Sequence, residues 1–342
     1  MAAIWNLLQY TLKTNAFVKL KQGASEGDDN IWNTYFKCPF TEEKTSFCNN
    51  CNLTTEKSQY FLEKCTFYDI NGQIIIFSDV SDTLFLHNLC TFQNCISTNC
   101  SCIKYIAASN SSIVQRRFCC TKCKGHGDVQ FSNTEVGDDN LNFFIESSLF
   151  NAGEENKNYI CKATNGSVLV SSMNFSSCKS ANNPVGYYSS KSLNHHTKFN
   201  YSTFVDNLAT SYIVLQIQFN SSIDSCNIIN NSIINQYWGI ITHSENTLTI
   251  KSCSFINNST PKNSYLISNT NDELIIDNCY IDNSIARTLE NTIEPKNPKE
   301  YFTNKLNHFS NGNCPIINSV IKSDSINYIH IKLELGGVKR VR

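Results

Sequence analysis

Apolar and polar residues follow one short pattern that recurs along most of the chain. Residues 248–260 read LTIKSCSFINNST, and residues 274–284 read LIIDNCYIDNS. Each stretch has two apolar residues one position apart, then a polar pair, a cysteine, an aromatic residue or isoleucine, and asparagine. The shared template is Φ-x-Φ-x-x-[C/S/M]-x-[F/I], in which Φ is usually apolar.

The template predicts a repeat protein. Its good copies are Tyr60, Leu62, Cys65, Phe67; Phe143, Ile145, Ser148, Phe150; Val168, Val170, Met173, Phe175; Thr197, Phe199, Ser202, Phe204; Ser221, Ile223, Cys226, Ile228; Leu248, Ile250, Cys253, Phe255; and Leu274, Ile276, Cys279, Ile281. Poorer copies lie at 90–92, 118–120 and 314–316. The copies are spaced 24 to 30 residues apart, with a final spacing of 35, which indicates a solenoid of stacked units.

The periodicity inside each unit identifies the kind of solenoid. Apolar residues alternate with period two, as in strands, and no helical spacing recurs. Further apolar runs precede most copies, as at 213–217 and 239–242. Three short strands per turn predict an all-β, right-handed parallel β-helix of about ten coils. Leucine-rich and helical repeats are excluded by the period.

A corner is predicted where the alternation slips by one residue, as between Ile250 and Cys253. Stacked coils place equivalent residues about 4.8 Å apart, so like side chains form columns. We therefore predict one inward column of Cys, Ser and Met. We predict a second inward column of Phe or Ile side chains, which includes Phe175, Phe204, Ile228, Phe255 and Ile281. The asparagines that follow, Asn207, Asn231 and Asn258, are expected at the next corner as a hydrogen-bonded ladder.

The repeat also divides the chain. Residues 56–320 are assigned to the β-helix, residues 1–55 to an N-terminal cap or non-repeat region, and residues 321–342 to a C-terminal cap or tail. The proline-containing stretch 292–300 is interpreted as an insertion loop before the last copy.

Charge and hydropathy exclude several classes of protein. The formal net charge is −1 and no long basic tract occurs, so no nucleic-acid partner is expected. No apolar stretch is long enough for a transmembrane helix, and the N-terminus does not resemble a signal peptide. Ten N-x-S/T sequons occur, but asparagine, serine and threonine are so abundant that chance accounts for most of them.

The chain has 17 cysteines, a number typical of an oxidising compartment or of metal sites. Cys48-x-x-Cys51 and Cys120-x-x-Cys123 lie too far apart for a zinc ribbon, so no metal or other cofactor is predicted. Cys95 and Cys123 each follow their alignment positions by five residues on consecutive coils. We hypothesise that they form a disulfide. The cysteines of the inward column are interpreted as buried, unreactive thiols.

Residues 124–140 contain Gly125-His126-Gly127, Asn133-Thr134-Glu135 and Asp138-Asp139. Polygalacturonase-type glycosidases carry similar NTD, DD and GHG motifs, but on successive coils and in that order. Here all three lie within one coil and GHG comes first, so they are not expected to converge on a glycosidic bond. A polar corner and an outer loop are the favoured interpretation.

Other charged residues are interpreted as surface. Asp69, Asp206 and Asp282 belong to distant coils, and no adjacent copy of the repeat supplies an aspartate to Arg116 or Arg117. The pair His195-His196 is read as a surface loop, although it could bind metal weakly. We therefore predict no catalytic residues.

The units Phe204-x-x-Asn207 and Phe255-x-x-Asn258, on a β-helical repeat of roughly 25 residues, resemble those of a known family. They are similar to polymorphic outer-membrane-protein repeats and to large right-handed β-helix surface proteins of parasitic protists and bacteria, in the pectin-lyase-like fold class. Unlike those repeats, the coils lack a Gly-Gly-[Ala/Ile/Val] motif, which occurs only as Gly336-Gly337-Val338. The resemblance implies an extracellular or cell-surface location and a role in adhesion or host interaction.

The sequence thus favours a non-enzymatic β-helix that binds an unknown protein or glycan. The alternative is a polysaccharide-active lyase or hydrolase, or a carbohydrate-binding module, on the same scaffold. An enzyme would need several carboxylates, or carboxylates with arginine, on neighbouring coils of one face.

Overall fold

The computed structural model describes residues 29–38, 40, 58–97, 101–107, 109–155, 157–191, 195–210, 214–234, 238–261, 264–269, 273–282, 295–310 and 314. These residues form 31 β-strands and one α-helix, α1 (Asp29–Phe36). The strands build an all-β parallel β-helix of about eight turns, which confirms the predicted fold with fewer coils than the ten expected. At about 4.8 Å per coil, eight turns give a rod of roughly 38 Å.

Three long parallel sheets form the sides of the rod. Sheet A contains β1 (Ser58–Glu63), β4 (Thr83–Asn88), β8 (Ser112–Arg116), β12 (Leu141–Ile145), β15 (Ser167–Ser171), β19 (Thr197–Asn200), β23 (Ser221–Asp224), β27 (Leu248–Lys251) and β30 (Leu274–Asp277). Sheet B contains β2 (Thr66–Tyr68), β5 (Thr91–Gln93), β9 (Cys119–Thr121), β13 (Ser148–Phe150), β16 (Asn174–Ser176), β20 (Thr203–Val205), β24 (Asn227–Ile229), β28 (Ser254–Ile256) and β31 (Tyr280–Ile281). Sheet D contains β3 (Ile75–Val80), β7 (Ile103–Ala107), β11 (Val129–Glu135), β14 (Tyr159–Thr164), β18 (Gly186–Ser189), β22 (Leu215–Gln218), β26 (Gly239–Ser244) and β29 (Tyr265–Asn269).

Two short sheets lie between B and D. Sheet C pairs β6 (Ile96–Ser97) with β10 (Lys124–Gly125), and sheet E contains β17 (Lys179–Ser180), β21 (Leu208–Ala209) and β25 (Ser232–Ile233). Each coil therefore runs through sheet A, sheet B, a short corner and sheet D before it re-enters sheet A one layer further along.

The predicted aromatic column is confirmed by the register of sheet B. Phe175 is paired with Phe204, Phe204 with Ile228, Ile228 with Phe255, and Phe255 with Ile281. The rings of Phe175 and Phe204 are stacked, with centroids 5.6 Å apart. These side chains belong to one continuous core that fills the rod from end to end. Stacking of like side chains in this column thus contributes to the apolar burial of the core.

The fourth coil corrects the predicted register by one residue. Phe144 and Leu149 face the core, where the sequence predicted Phe143, Ile145 and Phe150. Doublets at 143–144, 147–148 and 149–150 fit the template in either register. The outward orientation of Phe143 is stabilised by α1, because the Tyr35 ring packs edge-on against the Phe143 ring with centroids 6.5 Å apart.

Each coil turns from sheet A to sheet B on a single non-glycine residue in the left-handed region. The nine residues have φ between 46° and 57°, and they are Lys64, Leu89, Arg117, Glu146, Ser172, Tyr201, Ser225, Ser252 and Asn278. A left-handed residue with a side chain costs about 1 kcal/mol or more. The tight polar corner predicted from the sequence is therefore present, and neighbouring hydrogen bonds must offset its strain.

The inward residue after this corner supplies such hydrogen bonds. The Ser202 hydroxyl accepts the backbone N–H of Met173 at 3.1 Å and donates to the carbonyl of Asn200 at 2.9 Å. The Cys253 thiol does the same, since it accepts the N–H of Cys226 at 3.4 Å and donates to Lys251 at 3.1 Å. Cysteine and serine are interchangeable here because each carries one donor and one acceptor at the same place.

The predicted asparagine ladder is present at the second corner. Asn207, Asn231 and Asn258 are buried, and each amide Nδ2–H donates to a backbone carbonyl of the preceding coil, at 2.8 to 3.0 Å. The left-handed residues are instead their predecessors Asp206, Asn230 and Asn257. Strain and ladder are thus divided between adjacent positions.

Helix α1 lies on the outer face of sheet A. Trp32 is fully buried there against Phe61, Leu86 and Val114, which point outward from the first three coils. The described part of the predicted N-terminal region therefore packs along the side of the rod. The remainder of residues 1–55, and all of residues 321–342, lie outside the described residues.

A C-terminal strap crosses the outer face of sheet B. We use this name for residues 295–310 together with Cys314. Its contacts, from the incomplete last coil back to the third, are Tyr301 with Tyr280, Phe302 with Ser254, Asn304 with Asn227, His308 with Thr203, Phe309 with Ser148, and Cys314 with Cys119. The predicted repeat copy at Cys314 is therefore wrong, because Cys314 is disulfide-bonded to Cys119 of the third coil and does not stack on Cys279.

Candidate interaction surface

The outer face of sheet D carries a column of half-exposed polar and aromatic side chains. We call it the open column, and it comprises Lys104, Asn133, Lys162, Tyr187 and Gln216. These residues are paired in register on five consecutive strands, so neighbours are about 4.8 Å apart. No sequence pattern indicated this column, because its outward positions follow no repeat.

No described element covers this face. The ring contacts of α1 are with sheet A. The hydrogen bonds that Phe302 and Asn304 of the strap form are with sheet B. Among the described residues, the middle of sheet D, from Lys104 to Gln216, is thus partly open to solvent. The outward residues nearer its ends, Ile76, Thr242 and Ser268, are buried.

Tyr187 is the centre of the open column. Its ring centroid lies 5.7 Å from that of Tyr159, and the Lys162 Nζ lies 6.0 Å from the same centroid. The hydroxyl of Tyr187 donates to Gln218 Oε1. Burial raises the pKa of both tyrosines, so both hydroxyls stay protonated, and the one hydrogen of the Tyr187 hydroxyl is directed at Gln218. The amphipathic tyrosine side chain is common at protein interfaces.

The charge of this face is mixed, because lysines lie on its strands while Asp128 acts on Tyr159 and Glu245 acts on Tyr187 from adjoining positions. Lys104 and Lys162 form no ion pair with any residue that the structure describes. Glu135 is the nearest acidic position on the same strands, and its carboxylate accepts a long hydrogen bond of 3.5 Å from Asn165. Two unpaired lysines beside tyrosines and amides suit a polar or acidic partner.

A second feature is an open groove of about 940 Å³ along the corner between sheets B and C. Its charged residues include Lys124, paired with Glu154 at 3.0 Å, and Lys179, paired with Glu155 at 3.2 Å. The other groove carboxylate, Asp69, belongs to the first coil, about 14 Å away along the axis from the fourth. The groove therefore holds acids, but two of the three are neutralised by lysines.

The GHG, NTE and DD residues are separated as predicted. His126 is exposed before β11, Glu135 is at the end of that strand, and Asp139 is exposed in the following turn. Since β11 has seven residues, its ends are about 20 Å apart. Asp139 instead contacts His195, with Nε2 and Oδ1 3.2 Å apart.

The structure corrects the interpretation of the arginines. Arg116 Nη2 lies 2.8 Å from Glu146 Oε2, and Arg117 Nε lies 2.6 Å from the same oxygen. The sequence missed this pair because Glu146 is the left-handed corner residue of the next coil and lies outside the template. Asp69 and Asp206 occupy one corner column in the first and sixth coils, so they are distant, as expected.

Cys95 and Cys123 lie side by side in the core, but both are free thiols, so the structure does not contain the predicted disulfide. The Cys123 thiol, together with burial, raises the pKa of Cys95, and burial alone raises the pKa of Cys178 to about 12. Buried neutral thiols are unreactive. The disulfide found, Cys119–Cys314, joins residues 195 positions apart, and no periodic signal could have indicated it.

The other cysteines show no metal centre. In the described ranges, no three His, Cys, Asp or Glu side chains are arranged to hold a metal ion. Cys48 and Cys51, considered above as zinc ligands, lie outside those ranges. Nor does any described helix have the length and apolar character needed to span a membrane.

Comparisons with protein-family models, with curated proteins and with solved structures found no match for this chain. What the structure supports is therefore the parallel β-helix fold itself.

Proposed function

We propose that this chain is a non-enzymatic, elongated scaffold that binds a protein or glycan partner through the outer face of sheet D. The observation that carries the proposal is the open column, with Tyr187 between Lys162 and Gln216, on the part of sheet D that is half-exposed and that neither α1 nor the strap contacts. A rigid solenoid displays such a surface over many coils at little cost in ordering on binding. The Cys119–Cys314 disulfide is consistent with work outside the cell.

The test is binding of the fluorescent full chain to intact epithelial cells and to a printed glycan array. Lys104→Glu, Lys162→Glu and Tyr187→Ala are expected to reduce binding, by roughly tenfold for Tyr187→Ala if it is an interface anchor. Lys198→Glu and Lys251→Glu are matched controls, because both lysines are exposed on the outer face of sheet A. Equal losses on both faces, or no binding by the wild type, would contradict the proposal.

The second candidate is a polysaccharide-active enzyme, and the corner groove with Asp69, Glu154 and Glu155 is the observation that favours it. Incubation with a panel of neutral and acidic polysaccharides, followed by assay of new reducing ends, distinguishes the two. Turnover that Glu154→Gln and Glu155→Gln abolish would assign the groove to catalysis and overturn the non-enzymatic proposal.

A further inference from the structure

Sheet B holds the strap largely through main-chain atoms of the strap. Asn227 Nδ2–H donates to the carbonyl of Asn304 at 2.9 Å, and its Oδ1 accepts the Asn304 N–H at 2.9 Å. The Ser254 hydroxyl donates to the carbonyl of Phe302 at 2.7 Å. Main-chain groups are present in every peptide, so these contacts do not depend on the side chains of the strap.

An apolar column lies beside these polar residues. Val205, Ile229 and Ile256 are buried in a separate outer cluster of sheet B, with Tyr280 packed against it. Each lies two positions after a polar residue of the same strand, so both columns face outward. The sheet therefore presents hydrogen-bonding groups and an apolar strip side by side, which is what an extended peptide requires.

The strap's own side chains are only partly buried. None of the side chains at 295–310 is fully buried, and Tyr301 is 48% exposed. Cys314, by contrast, is completely buried with its partner Cys119. The disulfide, which joins residues 195 positions apart, therefore adds a covalent tether to the hydrogen bonds of the strap, and its loss lowers the cost of releasing the strap.

We propose that the outer face of sheet B, from Ser148 to Ser254, is a binding surface for an extended peptide. The strap occupies this surface in the disulfide-bonded chain. Reduction of Cys119–Cys314 releases the strap, and the outer face of sheet B can then bind a separate peptide. This second binding activity is independent of the open column.

The redox step is a thiol–disulfide exchange with a dithiol reductant. One thiolate of the reductant attacks a sulfur of Cys119–Cys314 as the strap frays, which breaks the protein S–S bond and forms a mixed disulfide. The second thiolate then displaces the cysteine. The protein gains two electrons and two protons as two thiols, and the reductant leaves as a cyclic disulfide.

The strap also indicates which peptide fits best. Phe302, Asn304, Leu306 and His308 are half-exposed and alternate with exposed residues, as in an extended chain with one side on the sheet. The Asn304 side chain donates to the carbonyls of Ser252 at 3.0 Å and Cys226 at 3.3 Å. The expected partner is therefore an extended peptide with asparagine between an aromatic and an aliphatic residue at alternate positions.

The experiment measures fluorescence anisotropy of a labelled peptide with the sequence of residues 299–310, added to the full chain. The tethered strap competes at a high effective concentration, so it is weakened in the double variant Asn304→Ala/Cys314→Ser. We expect this variant to bind the peptide and the oxidised wild type not to bind it. Adding Asn227→Ala should weaken binding roughly tenfold, because two hydrogen bonds are lost, whereas the matched change Asn33→Ala, at an exposed position of α1, should not.

Hydrogen exchange of the same proteins provides a readout that does not depend on the peptide. On reduction of the wild type, amides in 299–310 should lose protection while the strands of sheet A keep theirs, which also shows that the coils remain folded. Absence of peptide binding by the folded double variant would contradict the proposal that the outer face of sheet B binds a peptide. Equal binding by the oxidised wild type, or a strap that stays protected after reduction, would overturn the disulfide control.

Discussion

The Oδ1 of Asn231 accepts two hydrogen bonds from Asn207 of the preceding coil, one from its backbone N–H at 3.1 Å and one from its side-chain Nδ2–H at 2.9 Å. In the next coil the Oδ1 of Asn258 accepts the same two hydrogen bonds from Asn231, from its backbone N–H at 3.0 Å and from its side-chain Nδ2–H at 3.1 Å. The Asn231 amide thus accepts from the preceding coil and donates both to that coil, at the Phe204 carbonyl, and to Asn258 of the following coil, which links neighbouring corners in the core.

Asn231→Ala should therefore be strongly destabilising. It leaves the backbone N–H and the side-chain amide of Asn207 without their acceptor inside the rod, and unsatisfied buried donors cost about 1–3 kcal/mol each. We expect the free energy of unfolding, measured by chemical denaturation, to fall by about 3 kcal/mol. Asn133→Ala, on the open face of sheet D, should change it by less than about 0.5 kcal/mol. Similar effects of the two substitutions would contradict the role of the ladder.

The corner thiols give a second prediction. Cys253→Ser should retain the hydrogen bonds to Cys226 and Lys251, because Ser202 already makes the equivalent bonds in another coil. Cys253→Ala removes them and leaves the Cys226 N–H unpaired. The alanine variant should be less stable than the serine variant by about 1–2 kcal/mol in urea or guanidinium unfolding. If alanine were as stable as serine, the column would act by its small size alone.

His87 predicts how stability depends on pH. It is fully buried, its Nε2–H donates to Gln115 Oε1 at 3.2 Å, and burial lowers its pKa to about 4. Between the unfolded value near 6.5 and the folded value, the unfolded chain binds more protons, so stability falls as the pH falls through this window.

Thermal or denaturant unfolding at several pH values tests this dependence. His87→Gln keeps an amide donor but does not titrate, so the loss of stability between pH 7 and pH 4 should shrink by on the order of 3 kcal/mol. His196→Gln is the matched control, because His196 is exposed. A pH profile that His87→Gln leaves unchanged would show that this imidazole is not kept neutral by the fold.

Helix α1 gives a fourth prediction. Trp32 is fully buried on sheet A, with its ring centroid 4.9 Å from that of Phe40 and 6.3 Å from that of Phe61. Trp32→Ala should destabilise the docked helix by about 3–5 kcal/mol. Hydrogen exchange should then show α1 detached while sheet A stays protected.

Asn33→Ala is the control for that substitution, because Asn33 is exposed on the same helix and alanine favours helix formation. It should leave α1 docked. Loss of helix protection in Asn33→Ala, or its retention in Trp32→Ala, would contradict the assignment of Trp32 as the anchor.

The sequence and the structure agree best where information is repeated. The column of Phe175, Phe204 and Ile228 could be predicted because each coil places the same kind of residue at the same point. Agreement fails by one residue at Phe144, where doubled residues fit two registers. The open column around Tyr187 could not be predicted, because side chains that face solvent do not need to match their neighbours above and below.

The amino-acid sequence by itself determined the β-helix, its corners and its inward columns. Coils that stack in register need the same kinds of residue at the same inward and corner positions, so the pattern recurs along the chain. Only the tertiary structure decided which sides of the rod are covered. The docking of Trp32 on sheet A, the strap on sheet B and the Cys119–Cys314 bond each depend on contacts between distant parts of the chain that occur once and are not repeated from coil to coil. Such contacts leave no period in the sequence, so they become visible only when the coils are placed in space.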